Sequence, residues 1–248
     1  MYILGDIGNS ETKIYLVNSN KKIIKSINIS TKKININILK KKIRKLTKDL
    51  KKINKILFCS VVPKTFTLIR KFFSKNTKIR CYEVKDLNLR SMINIDVNFK
   101  QVGSDRITNA ISVINNKDNF IILDFGTATT FDVVIKNSYK GGVIAPGIKL
   151  SLNTLSDKAT LIPKINLKKI NKIVGNNTIT AVRSGFFWGY SGLIDNIIRL
   201  IKNEYKINFN TIITGGLSNL FKTSIKTKVK LNKDITVKGL IKISRLID

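Results

Sequence analysis

Two segments of the chain place an aspartate two residues before a glycine and close to hydroxyl side chains. They read Asp6-Ile-Gly-Asn-Ser10 and Asp124-Phe-Gly-Thr-Ala-Thr-Thr130. Glycine lets backbone N–H groups approach an anion closely, and serine and threonine add hydroxyl donors without bulk. A carboxylate would repel a bare phosphate, so its presence predicts a cation between the carboxylate and the phosphate oxygens. One such segment alone is more often an ordinary hairpin with a polar tip, but two together favour phosphate binding.

A third segment, Gly103-Ser-Asp-Arg106, sets an acid beside an arginine. The apolar residues that follow keep a helical spacing, so both charged residues are expected at or near a helix N-terminus. Asp105 is then either a helix cap or a general base, and Arg106 offers a planar fork of donors to an anionic group. The residues alone leave these two interpretations of Asp105 open.

The composition limits the chemistry that these residues can support. The 248 residues include no histidine and only two cysteines, Cys59 and Cys81. A disulfide framework, a zinc site and a histidine-activated nucleophile are therefore excluded or nearly so. Both cysteines fall on predicted strands and are expected in the core. We find neither a run of about 20 apolar residues nor a basic and apolar leader, which predicts a soluble, cytoplasmic protein that does not enter a membrane.

The net charge of +31, from 46 Lys and Arg against 15 Asp and Glu, raises the question of nucleic-acid binding. The lysines are scattered along the chain, without the interleaved aromatic residues of a single-strand binder or a recognisable recognition helix. Solvated surface faces are therefore the favoured interpretation. We expect no specific nucleic-acid partner.

Apolar, β-rich runs flank both D-x-G segments, the first within residues 2–17 and the second at 120–123 and 131–135. Such a repeat is typical of the duplicated domains of the actin, hexokinase and sugar-kinase type. We therefore predict an α/β fold of two ribonuclease H-like domains, residues 1–116 and 117–248, with a nucleotide cleft between them. Asp6 would end the first strand and hold Mg²⁺, and Lys13 would offer a point charge to the phosphates.

The remaining elements follow from periodicity. Strands are predicted at 22–29, 55–62 and 80–84, and helices at 38–50, 64–74 and 178–205, with a closing helix that starts near Lys238. Gly185, Gly189 and Gly192 lie on the long helix. Because glycine costs about 1 kcal/mol at each helix-interior site, the three predict close packing against another backbone or helix.

Six short segments that occur in a fixed order form a pattern far more specific than any one of them. They are D-I-G-N-S at 6–10, G-S-D-R-I-T-N-A at 103–110, D-F-G-T-A-T-T-F-D at 124–132, G-G-V-I-A-P-G at 141–147, N-T-I-T-A-V-R-S-G at 177–185 and I-T-G-G-L-S at 213–218. Over essentially its whole length the sequence resembles the type III pantothenate kinases, the first enzymes of coenzyme A synthesis in many bacteria. The family commonly has an aromatic residue and a proline shortly before its G-x-D-R segment, where this chain carries the different segment 95–102.

The resemblance implies transfer of the γ-phosphoryl group of ATP to pantothenate by a homodimer that uses Mg²⁺ and K⁺ or NH₄⁺. It implies that Asp105 accepts the hydroxyl proton and that Asp124 holds the monovalent cation. The residues that it implies for ATP are Asp6, Gly8, Asn9, Ser10, Lys13 and Thr127, and those for pantothenate are Gly103, Ser104, Asp105, Arg106 and Thr178.

Two other functions deserve comparison. Relatives of this family act as transcriptional accessory factors without catalysis, and the basic charge would suit such a role. A sugar kinase of the same superfamily is a third candidate, although the cysteine-rich zinc site of one large branch is missing. A regulator has no need of phosphate-binding turns and a base, so the intact Asp6, Asp105, Asp124 and Thr127 favour the kinase.

Overall fold

Each D-x-G segment joins two antiparallel strands in the computed structural model, which describes residues 1–247. The strands in chain order are β1 (Tyr2–Ile7), β2 (Glu11–Val17), β3 (Ile23–Ser30), β4 (Lys55–Ser60), β5 (Cys81–Glu83), β6 (Asn94–Ile95), β7 (Asn119–Phe125), β8 (Ala128–Ile135), β9 (Ser138–Pro146), β10 (Asn210–Gly215) and β11 (Val229–Leu231). The helices are α1 (Ile36–Leu46), α2 (Pro63–Asn76), α3 (Ser104–Val113), α4 (Ile148–Lys158), α5 (Thr178–Tyr205), α6 (Ser218–Phe221) and α7 (Ile235–Ile243).

The chain divides into two units. Unit 1 comprises residues 1–114, 137–139 and 234–247, and unit 2 comprises residues 115–136 and 140–233. This division differs from the predicted domains chiefly in residues 137–139 and 234–247, which belong to unit 1; for the second of these segments the reason is that α7 packs against α3. That packing joins segments far apart in sequence, so no local sequence pattern predicts it.

The sheet of unit 1 has the strand order β3-β2-β1-β4-β5. The first three strands are antiparallel neighbours, and β4 and β5 join in parallel on the other side of β1. Helix α1 buries Leu39, Ile43 and Leu46, which recur at the spacing of one helix face, so it covers the sheet with an apolar stripe. Cys59 and Cys81 are buried in this unit, as predicted.

The sheet of unit 2 contains the strands in the order β11-β10-β7-β8-β9. As in unit 1, an antiparallel hairpin supplies two strands, and the first of them pairs in parallel with a later strand. Its core includes a run of stacked rings in which Phe221 lies between Phe125 and Phe187, with centroids 5.4 and 5.5 Å apart. The two D-x-G segments that repeat in the sequence therefore correspond to a strand arrangement that repeats in the structure.

Helix α5 spans Thr178–Tyr205 as predicted, whereas α7 begins at Ile235, a few residues before the predicted start. The predicted close packing of Gly185, Gly189 and Gly192, hereafter the glycine stripe, is wrong within one chain. A Cβ built on any of the three meets nothing within 4 Å, because α5 buries its opposite side, with Phe187 and Ile194 fully covered. Within residues 1–247 we find no helix with the length and apolarity that crossing a membrane requires.

Candidate active site

The first phosphate-type turn is the tip of the β1–β2 hairpin. Asp6 lies near the end of β1, and Lys13 is its partner across the hairpin on β2. The N–H of Gly8 donates to Glu11 O at 3.0 Å and closes the turn, in which Asn9 is exposed. Lys13 Nζ lies 3.6 Å from Glu11 Oε2. The hairpin therefore brings the predicted ATP-contacting residues of unit 1 together at one end of the sheet.

Asp6 is half-buried, and its environment opposes ionisation. Burial first, and the negative charge of Asp105 next, raise the pKa of Asp6 from 3.8 to about 6, against the lowering effects of the Cys59 thiol and Lys13. Cys59 Sγ donates to Asp6 Oδ1 at 3.5 Å. Burial keeps the pKa of the Cys59 thiol well above its usual range, so the thiol retains the proton that it donates. Asp6 and Asp105 thus share one electrostatic environment.

Asp105 is the second residue of α3, and its carboxylate turns back toward the helix start. Gly103 holds the N-cap position, so Asp105 is not the N-cap residue. Its Oδ1 accepts a hydrogen bond from the N–H of Arg106 at 2.8 Å. A Cβ built on Gly103 would lie 2.4 Å from this oxygen, so the position needs glycine for the carboxylate to lie there. Burial raises the pKa of Asp105, against the opposing effect of Arg106.

Ser104 lies deeper than its predicted place in a substrate pocket. It is 1% exposed, and its Oγ accepts from the N–H of Ser60 at 2.7 Å and donates to Ser60 O at 3.1 Å. The same Ser60 N–H lies 3.1 Å from Oε1 of Glu83, whose Oε2 accepts from Lys85 N at 2.6 Å. Burial raises the pKa of Glu83. Ser104 therefore fixes the start of α3 to the end of β4 and positions Asp105.

The far end of α3 is fixed as well. Lys242 of α7 donates from Nζ to Ile111 O at 3.1 Å and to Ile114 O at 3.2 Å, the carbonyls that a helix C-terminus leaves without intrahelical partners. Arg106, on the first turn, is half-buried with its guanidinium 6.0 Å from the centroid of the Tyr139 ring. Hydrogen bonds at both ends thus fix α3, the helix that carries Asp105.

The second phosphate-type turn joins β7 to β8 in unit 2. Asp124 lies near the end of β7 and is half-buried, whereas Gly126 and Thr127 in the turn are exposed. Gly215 has a φ of +86°, which favours glycine, and a Cβ built there would lie 2.5 Å from Asp124 Oδ1. The Asp124 carboxylate therefore packs against the backbone of Gly215, at a position where any side chain would collide with it.

Thr178 is the first residue of α5 and is exposed. Its helix is capped by Asn177, whose side chain accepts from Thr180 N at 2.9 Å. With 3.6 residues per turn, Thr178 and the glycine stripe fall within about 60° of one another around the helix axis. The threonine and the stripe thus share the open side of α5.

Comparison with known proteins decides the family. A model of the type III pantothenate kinase family matches residues 2–200. The chain is also 67% identical to a type III pantothenate kinase of Pelagibacter ubique, and the match covers all of both chains. The chain belongs to the type III pantothenate kinase family. These matches support the kinase prediction and not the transcriptional alternative.

Solved structures place this pantothenate kinase in the predicted fold class. A chain described as a 2-dehydro-3-deoxygalactonokinase from Sinorhizobium meliloti aligns with a TM-score of 0.65 at 10% identity, over 100% of this chain and 99% of the other. A ROK family glucokinase from Streptomyces griseus aligns with a TM-score of 0.53 at 10% identity, over 99% and 98% of the two chains. At these identities the likeness concerns the fold alone, and it confirms the duplicated sugar-kinase type.

A kinase of this family uses ATP and, as kinases usually do, a divalent metal, and the donor set fits such a metal. The structure holds no cluster of three or more His, Cys, Asp or Glu side chains suited to a metal within residues 1–247. Mg²⁺ seldom needs such a cage, because it is commonly held by one or two carboxylates together with substrate phosphates. Asp6, which feels the negative charge of Asp105, would supply such a carboxylate in this pantothenate kinase, and the phosphates of ATP would supply the other ligands.

Sequence reasoning missed several residues that support the kinase site. The Cys59 thiol donates a hydrogen bond to Asp6, and the Ser60 N–H lies within hydrogen-bond distance of both Ser104 and Glu83. None of the three belongs to a recognised motif, and each contact joins strands or helices that are well separated in sequence. The apolar run of β4 is the one available signal, since it predicts a buried strand and ligands of α/β sheets commonly bind at the carboxyl ends of such strands.

Proposed function

We propose that this protein transfers the γ-phosphoryl group of ATP to the primary hydroxyl of pantothenate and produces 4′-phosphopantothenate, the first step of coenzyme A synthesis in the cytoplasm. The observation that carries the proposal is the half-buried Asp105 at the start of α3, in the same electrostatic environment as the phosphate-type turn of Asp6. A base and a phosphate site must lie near one another for transfer to a hydroxyl.

Asp105 acts as the general base for the hydroxyl of pantothenate. A carboxylate with a raised pKa accepts a proton more readily, while Arg106 favours the ionised form that must be present before transfer. The Arg106 N–H and the geometry of Gly103 fix the direction of the carboxylate. The proton therefore passes from the hydroxyl to Asp105 as the oxygen forms its bond to phosphorus and the bond to the leaving ADP breaks.

The two phosphate-type turns supply the ATP contacts in this proposal. In unit 1 the turn of Gly8, Asn9 and Ser10 presents backbone and side-chain donors, and Lys13 adds positive charge. In unit 2 Thr127 offers an exposed hydroxyl. Asp6 would hold Mg²⁺, which when bound neutralises the charge on the phosphate oxygens.

Asp124 is proposed to hold K⁺ or NH₄⁺. Its carboxylate lies against Gly215, where a Cβ would come within 2.5 Å of Oδ1, so the glycine leaves room that any other residue would fill. A monovalent cation there would balance a carboxylate that otherwise repels phosphate. Thr127 lies three residues further on, in the same turn.

A two-fold homodimer would bury the open side of α5. The glycine stripe meets nothing within 4 Å in one chain, and the neighbouring loop exposes Leu161 (88%), Ile173 (71%) and Val174 (84%). Patches of exposed apolar side chains are typical of interaction surfaces. Thr178 shares the side of the stripe, so we propose that it contacts the pantothenate bound by the other subunit, alongside Gly103 and Arg106 of that subunit.

The test is a direct assay of the product. Purified protein is incubated with ATP, Mg²⁺, K⁺ and pantothenate, and 4′-phosphopantothenate is measured by mass spectrometry alongside ADP. We expect stoichiometric formation of both products, lost in Asp105→Asn. Absence of phosphopantothenate from folded wild-type protein that binds ATP would overturn the assignment.

A further inference from the structure

Two buried threonine side chains lie against the turn that joins β1 to β2 and are hydrogen-bonded to one another. Thr12 of β2 is fully buried, and Thr31, which directly follows β3, is 6% exposed. Thr31 Oγ1 donates to Gly8 O at 2.7 Å, and the two hydroxyl oxygens lie 2.9 Å apart. Because the single hydroxyl proton of Thr31 goes to Gly8 O, Thr12 must be the donor in the second bond.

Thr31 holds a second carbonyl of the same turn. Its backbone N–H donates to Ser10 O at 3.1 Å. Two of the oxygens that the turn could otherwise present to an anion are thereby turned toward one buried residue. A chain of three bonds, from Thr12 to Thr31 and from Thr31 to Gly8 and Ser10, therefore fixes the turn from the inside.

These bonds determine which way the peptide groups of the turn point. The C=O of Gly8 and the N–H of Asn9 belong to one planar trans peptide, so they point in opposite directions. Since the Gly8 C=O points to the buried Thr31, the Asn9 N–H points away from it, toward the exposed side of the turn. Exposed N–H groups fixed in this way attract anions.

We propose that Thr31, supported by Thr12, is a positioning residue for ATP, which keeps the amide of Asn9 directed toward the phosphates and the carbonyl of Gly8 directed away from them. The inference rests on the proposed function, in which this turn contacts ATP. Without the hydroxyl the Gly8 peptide can rotate, and its carbonyl oxygen then repels phosphate for part of the time. Thr31 touches no phosphate itself and acts only through the turn.

The experiment compares Thr31→Val, which keeps the shape and removes the hydroxyl, with Thr31→Ser, which keeps the hydroxyl. Binding of ATP with Mg²⁺ is measured by calorimetry without pantothenate. We expect Thr31→Val to weaken ATP binding about tenfold, the effect of losing one buried hydrogen bond, and Thr31→Ser to stay within about twofold of wild type.

Kinetics separates positioning from a general loss of structure. In Thr31→Val the KM for ATP should rise about tenfold, while the KM for pantothenate and kcat at saturating ATP stay within about twofold. Thr47→Val is the matched control, because Thr47 is 8% exposed and its Oγ1 donates to Asp49 O at 3.2 Å, outside the turn. It should cost similar stability and leave ATP affinity unchanged.

Three outcomes overturn the proposal: folded Thr31→Val that binds ATP within twofold of wild type, Thr31→Ser that loses as much affinity as Thr31→Val, or wild-type protein that binds no ATP. If Thr31→Val does not fold, Thr12→Val decides, since it removes only the donor to Thr31 and should weaken ATP binding about two- to threefold; unchanged affinity contradicts us. Wild-type protein that binds ATP but leaves pantothenate unmodified refutes the proposed function alone, and the ATP affinities still test Thr31.

Discussion

Replacing Asp6 by asparagine should make the protein more stable at neutral pH while removing its activity. The folded protein holds the pKa of Asp6 at about 6, against 3.8 for an ordinary aspartate, chiefly through burial. That difference corresponds to about 3 kcal/mol of unfolding free energy, which the ionised carboxylate costs above pH 6. Asparagine has nearly the same shape and does not ionise, so it avoids this cost.

The sign of the pH dependence follows from the two pKa values. Below about pH 3.8 Asp6 is protonated in both the folded and the unfolded protein, so the variant has no advantage. As the pH rises through about 6, wild type loses the stability that the protonated form gave, and Asp6→Asn does not. The difference should therefore grow between pH 4 and 6 and level off above.

Urea unfolding followed by circular dichroism at pH 3.5, 5 and 7.5 measures the difference. We expect Asp6→Asn to exceed wild type by about 2 to 3 kcal/mol at pH 7.5 and to match it at pH 3.5. The control is Asp157→Asn, an exposed carboxylate on α4, which should change stability by less than about 0.5 kcal/mol. Equal midpoints at pH 7.5, or an advantage that persists at pH 3.5, would refute the reasoning.

Three further predictions concern catalysis. Asp105→Asn should lower kcat by about two orders of magnitude or more and leave ATP binding nearly intact; near-normal turnover would show that Asp105 is not the base. Wild-type activity should rise when K⁺ or NH₄⁺ replaces tetramethylammonium at constant ionic strength, and Asp124→Asn should lose that response; a wild type equally active in the organic cation contradicts the assignment of Asp124. Asp105→Asn and Thr178→Val chains, each inactive alone, should recover about a quarter of wild-type activity when refolded together, since each heterodimer keeps one intact site; heterodimers that stay inactive would place the whole site within one subunit.

The parts of the structure that follow local rules could be predicted from the sequence. The two D-x-G hairpins combine apolar, β-rich runs with glycine at the turn, and α5 carries a helical pattern from its Asn177 cap onward. The Asp105-Arg106 pair was placed at a helix start for the same reason. Periodicity and capping act within a few residues, so one sequence is enough to recognise them.

Contacts between distant segments were not accessible in that way. Ser104 looked like a pocket residue because it lies in a motif, and only the fold shows its hydroxyl bonded to Ser60. Thr31 follows an unremarkable strand, and nothing near it in sequence points to Gly8. The glycine stripe was correctly judged unusual for a helix, but a single chain supplies no neighbour for it.

The return of α7 to unit 1 has a consequence for biosynthesis. Helix α3, with Asp105 at its start, is made about 120 residues before α7, a delay of roughly 6 to 24 s at ordinary rates of translation. Until α7 emerges, Thr108 lacks its close contact with Gly239, Asn109 lacks the hydrogen bond from Thr236, and Lys242 cannot bond the end of α3. The nascent chain can therefore complete unit 2 first, and a ribosome that stalls before residue 235 yields a molecule in which α3, the helix of Asp105, lacks the support of α7.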